Sequence, residues 1–449
     1  MRNGFFKQAT LCIGLLATLA VSALHAESVA ENVFHVRDFG ALPDDTADDT
    51  AAIRQAIRAA EREGGTVVFE AGTYLCAPQK IEETEIFRIR QGNLTLQGAG
   101  MDATVLSCHV YGLRDPNRFF VEKRRGRYRI QSVDTWDNDW EYSHRGHGIV
   151  FNPGRRGGTL RNVTIRDLRL SGNARPIDND AWWSKEERVH YWDISHKGIS
   201  LGWGPVHLEN VRIVNVEVDH FRGELIYKGG NARCDVLIEG CRVHGTPSSA
   251  ISGPAGRIVG NKFFNYYNAA VETFLTGAQT LVLADNTVEA NRDYPHWQPK
   301  NGFSIHNEPK AREGSVVIAR NTIQGPHRWH VFSYGLSNAV IEGNVFRDLT
   351  GPALALRLFG HDKWTLRGHG TNLQIVGNDF FWEGGTGQPA LHLHAGGADI
   401  DVTFADNTLH GTPSLYLAYD FADPEKDTLT WAPSNRGTGK NGVTGQFWK

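Results

Sequence analysis

The sequence predicts an all-β fold: a right-handed parallel β-helix with a helix capping its N-terminal end. Three observations predict it. A phrase of alternating apolar residues closing near an asparagine recurs along most of the chain. A second short strand follows each phrase. The segment ahead of these repeats reads strand, acidic turn, helix, strand. A repeat of this size cannot bury its apolar face alone, so it must stack on copies of itself.

The repeated phrases are RIVGNKFF, LVLADNTV, VVIARNTI, AVIEGNVF, LQIVGNDFF and VTFADNTL. Their asparagines are Asn261, Asn286, Asn321, Asn344, Asn378 and Asn407, with Cys241 in the equivalent place one unit earlier. The spacing runs from 20 to 35 residues; short intervals are bare coils and longer ones carry loops. Inward asparagines stacked at a turn can hydrogen-bond the backbone of adjacent coils, which makes them structural rather than catalytic. Two successive turns are clearest in Val206–Gly253. Val211, Ile213 and Val216 face inward in one, and Val236, Ile238 and Cys241 in the next. Simple alternation through the following strand, Leu225-Ile226-Tyr227-Lys228, sends Leu225 and Tyr227 to one side and Ile226 and Lys228 to the other.

Residues 1–26 read as a secretory leader. Arg2 and Lys7 precede an apolar core at Leu11–Val21, and Ala23 and Ala26 offer small residues for cleavage. A periplasmic or secreted protein is expected, with no membrane association after cleavage. Residues 27–449 then form one domain with insertions at 107–147, 174–197, 289–301 and 361–371. The formal charge of −3 provides no global field to attract nucleic acid, so an anionic substrate must meet local cations. Beyond the leader stand Cys76, Cys108, Cys234 and Cys241, none with zinc-like spacing. Cys234 and Cys241 flank one strand and lie roughly 23 Å apart if extended, too far for a disulfide. The pairing of Cys76 with Cys108 is left open.

In residues 32–76, Asp48 or Asp49 can cap a helix running through Ile53, Ile57 and Ala60, and Gly64-Gly65 ends it. The stretches FHVRDFGA, TADDTAAI and GGTVVFEAGTY resemble the opening of the pectate-lyase-like right-handed parallel β-helix superfamily. The resemblance implies that this helix covers the open end of the solenoid, where a bare strand edge would aggregate. It says little about function, because polygalacturonases, lyases, epimerases and phage tailspikes share this opening.

Aligning the strands GIVFN, GISLG, LIYK, AISG, VETF, FSIHN, VFSYG, LALRL, LHLHA and LYLAY leaves two outward columns. One reads Val150, Ser200, Ile226, Ser252, Glu272, Ser304, Phe332, Ala355, His392 and Tyr416. The other reads Asn152, Gly202, Lys228, a break, Phe274, His306, Tyr334, Arg357, His394 and Ala418. An ordinary solvated face would be richer in Lys, Thr and Glu. Glu272, His306, Tyr334 and Arg357, with Trp203, are therefore the candidate substrate-binding residues. Three insertions enter just before this strand and are rich in Arg, Trp, Tyr and His. Aromatic faces suit sugar rings, and Arg suits carboxylates.

Residue types choose the chemistry. Glycoside hydrolysis usually needs two facing carboxylates, and the Asn-Thr-Asp, Asp-Asp, Gly-His and Arg-x-Lys elements of the polygalacturonases are absent from the required coils. β-Elimination of a uronate needs a group to neutralise the carboxylate, a base for the C5 proton and an acid for O4. Lys228, read as outward, is the candidate base. Tyr191 is the candidate proton donor, and His196 an alternative in either role. This Tyr/Lys arrangement resembles the β-helix alginate lyases more than the calcium-dependent pectate lyases. Ala250–Pro254 lacks the outward Arg that several related lyases keep, so Arg257, Arg233, His220, a loop Arg or a bridging cation remain alternatives for the neutraliser. No cofactor is expected; a calcium site needs clustered oxygen ligands, which Glu272 and Glu224 alone do not make. The expected function is an exported, monomeric polysaccharide lyase acting on an acidic, uronate-containing polymer, alginate first. The alternative is a glycoside hydrolase or a non-catalytic carbohydrate-binding β-helix.

Overall fold

The computed structural model describes residues 32–78, 85–109, 119–124, 127–132, 147–154, 156–173, 196–221, 223–230, 232–275, 278–290, 299–307, 314–336, 338–349, 352–357, 372–382, 389–394, 401–411, 415–420 and 428–437. Residues Asn32–Lys449 make one compact unit. Its strands stack as a parallel β-helix. An 11-stranded sheet forms one face, and a 23-stranded sheet wraps the others.

The helix spans Thr50–Glu63 and ends at Gly64, whose φ of 70° is left-handed. Ile53, Ile57 and Ala60 recur at helical spacing and are buried against the first coil. The acidic turn divides its labour. Asp48 accepts the Thr50 amide at 2.9 Å, while Asp49 accepts the amides of Leu42 and Leu75, both at 3.0 Å. One carboxylate thus caps the helix and the other ties the turn to the first coil. Within the first insertion, Phe119–Arg124 and Arg127–Ser132 pair as an antiparallel hairpin.

The asparagine ladder forms as expected. From Asn261 through Asn286, Asn321, Asn344, Asn378 and Asn407, each backbone amide and side-chain NH₂ donates to the Oδ1 of the next asparagine, at 2.9–3.1 Å. Asn435 closes the series. The residue before each ladder position has positive φ: Gly240, Gly260, Asp285, Arg320, Gly343, Gly377 and Asp406. Glycine and aspartate tolerate that geometry. Arg320 is the exception, and two bonds to Asp285, at 2.8 and 2.7 Å, tie its side chain to the neighbouring coil.

A second buried polar group has consequences for acid stability. His327 Nε2 meets the Tyr266 hydroxyl at 2.6 Å, and His330 Nε2 donates to the Arg347 carbonyl at 3.0 Å. Both Nδ1 atoms are buried without a hydrogen-bond partner. Burial pushes His330 down to about 4 and His327 well below the usual imidazole value. The unfolded chain therefore binds protons that the folded one refuses. Stability is full above about pH 6.5 and falls as the pH drops toward 4. We expect urea midpoints to decline across that window, and less so in His330→Phe; a flat wild-type profile would exclude this linkage.

Candidate active site

The 11-stranded sheet carries the site. Its register pairs Ile149, Ile199, Ile226, Ile251, Val271, Phe303, Val331 and Leu354, all buried, in one inward column. The next residue of each strand faces out: Val150, Ser200, Tyr227, Ser252, Glu272, Ser304, Phe332, Ala355 and His392.

This register corrects the alternation expected around Leu225–Lys228. Leu225 sits at the bend and is buried, as is Ile226, so two successive residues face the interior before alternation begins. Tyr227 therefore replaces Ile226 in the outward column, and Lys228 turns inward beside Gly253. At the last strand, Ala418 rather than Tyr416 aligns with His392. Lys228 is 4% exposed, and its Nζ donates to the Gly229 carbonyl at 2.7 Å. Burial lowers its pKa. Among the described residues it makes no ion pair. A buried amine held this way opposes folding at neutral pH, since its charged form is stabilised only after unfolding. We expect Lys228→Met to raise stability by about 1 kcal/mol with turnover kept within twofold; loss of turnover would return Lys228 to the chemistry.

Around Tyr227 the groove is densely built. The Trp203 and Tyr227 rings pack together with centroids 5.9 Å apart. His147 packs on Trp203 at 5.1 Å. The Lys197 amide donates to His147 Nδ1 at 3.0 Å, which leaves Nε2 to carry the proton of a neutral ring. Lys197 Nζ lies 4.2 Å from the Tyr227 ring centre and 2.5 Å from Glu224 Oε2. Burial lowers the Lys197 pKa against the pull of Glu224. Burial, and then the Glu224 charge, raises that of Tyr227, so the phenol is neutral at ordinary pH. Gly229 forms the floor: a Cβ there would come within 2.8 Å of both Trp203 and the Tyr227 hydroxyl.

Two coils on, Glu272 accepts from Ser249 Oγ at 2.9 Å and Asn268 Nδ2 at 3.1 Å. Burial raises its pKa, and the Glu224 charge adds to the shift. His306 Nε2 lies 3.9 Å from Glu272. Phe274, His306 and Tyr334 stack on successive coils, with centroids 4.8 and 5.4 Å apart. His306 and Tyr334 are half-buried and in register with each other, and Tyr334 with Arg357, as expected from the sequence. The Arg357 side chain lies outside the described residues, as do Tyr191 and most of the loop residues at 107–147, 174–197, 289–301 and 361–371. His196 is buried beside Lys197, and its carbonyl accepts the Gly223 amide at 3.0 Å.

The sequence thus pointed to Trp203, Glu272, His306 and Tyr334 on this face. It missed Tyr227, Lys197 and His147. Aligning Ile226-Tyr227 with Ile199-Ser200 and Ile251-Ser252 is the signal that would have found Tyr227.

One acidic cluster with metal-like spacing, Glu217, Asp219 and His244, stands on the other sheet. Its carboxylates are already engaged. Asp219 accepts from Arg169 at 2.6 Å and Ser171 at 2.7 Å, and Glu217 pairs with Arg242 and His244. Burial opposes the ionisation of Asp219, but bonds from His220 and Arg169 prevail and hold its pKa down to about 2. A cation here would have to displace arginines.

Comparison with known proteins agrees with the architecture. Residues 33–112 match the family profile described as rhamnogalacturonase A/epimerase, pectate lyase-like, and residues 198–409 match the right-handed β-helix region. Both matches are to models of the pectate-lyase-like and right-handed β-helix kind, in keeping with the stacked parallel strands. Mannuronan C5-epimerase AlgE5 of Azotobacter vinelandii is 34% identical over 154 residues, covering 34% of this chain and 12% of that protein. Alginate lyase 7 of the same organism is 40% identical over 144 residues, covering 30% and 16%. The chain therefore spans under a fifth of the length of these curated relatives. The surface adhesin PfbA of Streptococcus pneumoniae shares the fold, with a TM-score of 0.58 and 14% identity over 93% of this chain and 99% of that one.

Proposed function

We propose that this protein is a polysaccharide lyase that cleaves a uronate-containing acidic polysaccharide, alginate first, by β-elimination at Tyr227. The observation that carries the reading is the Tyr227 hydroxyl, packed beside Trp203 over the glycine floor with Lys197 Nζ against its ring. The curated relatives that act on mannuronan and alginate support the choice of polymer. The leader-like stretch 1–26 makes the periplasm or the cell exterior the proposed site of action.

In the proposed step, the Tyr227 phenolate takes the C5 proton of a uronate. The C5–H electrons form the C4=C5 double bond, the C4–O4 bond breaks, and the phenol returns its proton to the departing O4. One residue can serve both ends only where C5–H and O4 lie on the same face of the ring, which is the arrangement in mannuronate. Lys197 stabilises the phenolate. Because burial keeps the resting phenol neutral, the reactive form is scarce at neutral pH. We expect kcat/KM to rise with pH toward the raised Tyr227 pKa; a rate falling over pH 7–9 in a folded enzyme would remove the phenolate from the mechanism.

A second reading rests on Glu224 and Glu272. The first is paired with Lys197, and burial raises the pKa of the second, so the two carboxyls stand in different environments, as a glycoside hydrolase needs. A panel of acidic polysaccharides separates the readings. Elimination creates an unsaturated uronate absorbing near 235 nm. Hydrolysis makes reducing ends without that absorbance. Epimerisation, which shares the C5 proton abstraction, changes the C5 configuration without new ends. Binding without any of these outcomes would identify a carbohydrate-binding module.

A further inference from the structure

We propose that Cys76 and Cys108 are joined by a disulfide when the chain folds in the presence of a disulfide oxidant, clamping the capped first coil to the second. Strand Gly72–Cys76 pairs in parallel with strand Thr104–Cys108, and the register runs from Gly72↔Thr104 to Cys76↔Cys108. The two cysteines are direct neighbours on adjacent coils with the same inward facing. Adjacent strands lie about 4.8 Å apart, inside the Cα separation that disulfides span. Both residues are fully buried, each thiol free.

The position gives the bond a purpose. Residues on either side of Cys76 are the ones that hold the cap. The Leu75 carbonyl accepts the Asp49 amide at 2.8 Å, and the Ala77 amide donates to the Thr50 hydroxyl at 2.8 Å. A covalent link from Cys76 to the second coil would therefore resist opening where the helix, first coil and second coil meet. Terminal repeats have a neighbour on one side only, and this is where a solenoid frays first.

Chemically, the two thiols give up two protons and two electrons to an oxidised disulfide such as glutathione disulfide. A mixed disulfide forms first, and the second thiolate displaces reduced glutathione. Burial raises both thiol pKa values and slows exchange in the folded protein, so the bond is made during folding rather than afterwards. Of the other three cysteines, the two beyond the leader-like stretch make an internal control. Cys234 and Cys241 flank a single strand and cannot reach each other.

The test is to refold the full chain with and without glutathione disulfide, then block free thiols under denaturing conditions and map the peptides. The expected result is a single linked pair, Cys76 with Cys108, in the oxidised sample. Dithiothreitol is then expected to lower Tm by several degrees in wild type and to leave a Cys76→Ala, Cys108→Ala double variant unchanged. If the double variant does not fold, the peptide map of wild type decides alone. Free Cys76 and Cys108 after oxidative refolding, or a bond from either to another cysteine, would overturn the proposal.

Discussion

Tyr227→Phe is expected to lower kcat by about 10²–10⁴-fold, the usual range for losing a general acid–base group, while KM changes little. The substitution keeps the ring, so its packing against Trp203 and Lys197 survives. It removes only the hydroxyl that lies with Trp203 over Gly229. The fold should persist, and circular dichroism with a melting curve checks this. Turnover is read as the initial rate of absorbance gain near 235 nm on polymannuronate. A loss under about tenfold would move the chemistry away from Tyr227, most directly to the Glu272–His306 pair. Gly229→Ala is the companion experiment. Its new methyl would compete for space with the hydroxyl itself, so it should depress kcat while leaving the groove chemistry intact.

The largest effect on stability is expected from Asn344→Ala. Asn344 Oδ1 accepts two bonds from Asn321, and its Nδ2 donates to the Ile318 carbonyl and to Asn378, all buried and all at 2.8–2.9 Å. Alanine removes the acceptor of the Asn321 backbone amide and of one Asn321 side-chain N–H, and the donor to the Ile318 carbonyl, while Asn321 Nδ2 keeps its bond to the Leu283 carbonyl. Each orphaned buried group costs about 1–3 kcal/mol, so a loss of about 3 kcal/mol is expected. The measurement is the shift in the urea midpoint at constant slope. Turnover per folded molecule should be unchanged, because the ladder lies on the other sheet from the groove. A shift worth less than about 1 kcal/mol would mean that water or a neighbouring coil restores the bonds.

The architecture was legible because each of its causes is local. The capping helix follows from Ile53, Ile57 and Ala60 at helical spacing before Gly64-Gly65, and it spans the residues expected. The asparagine ladder follows from one residue type recurring at one turn of every coil. His306, Tyr334 and Arg357 were placed on adjacent coils correctly, since their strands alternate cleanly through FSIHN, VFSYG and LALRL. Lys228 was misplaced for an equally local reason. Its strand is only two residues long, Ile226–Tyr227, and the bend before it buries Leu225 and Ile226 in succession. Alternation read through a bend reverses every facing beyond it.

By itself the sequence determined the solenoid, its cap, its ladder and the face on which aromatic and charged residues gather. Those features depend on periodicity and residue type, which one chain displays in full. Only the tertiary structure decided which residue of Leu225–Lys228 reaches the groove, that Lys197, paired with Glu224, lies against its ring, and that Cys76 stands beside Cys108. These are relations between coils, fixed by the hydrogen-bond register across a gap of one strand spacing. A shift of one residue in that register exchanges core for groove.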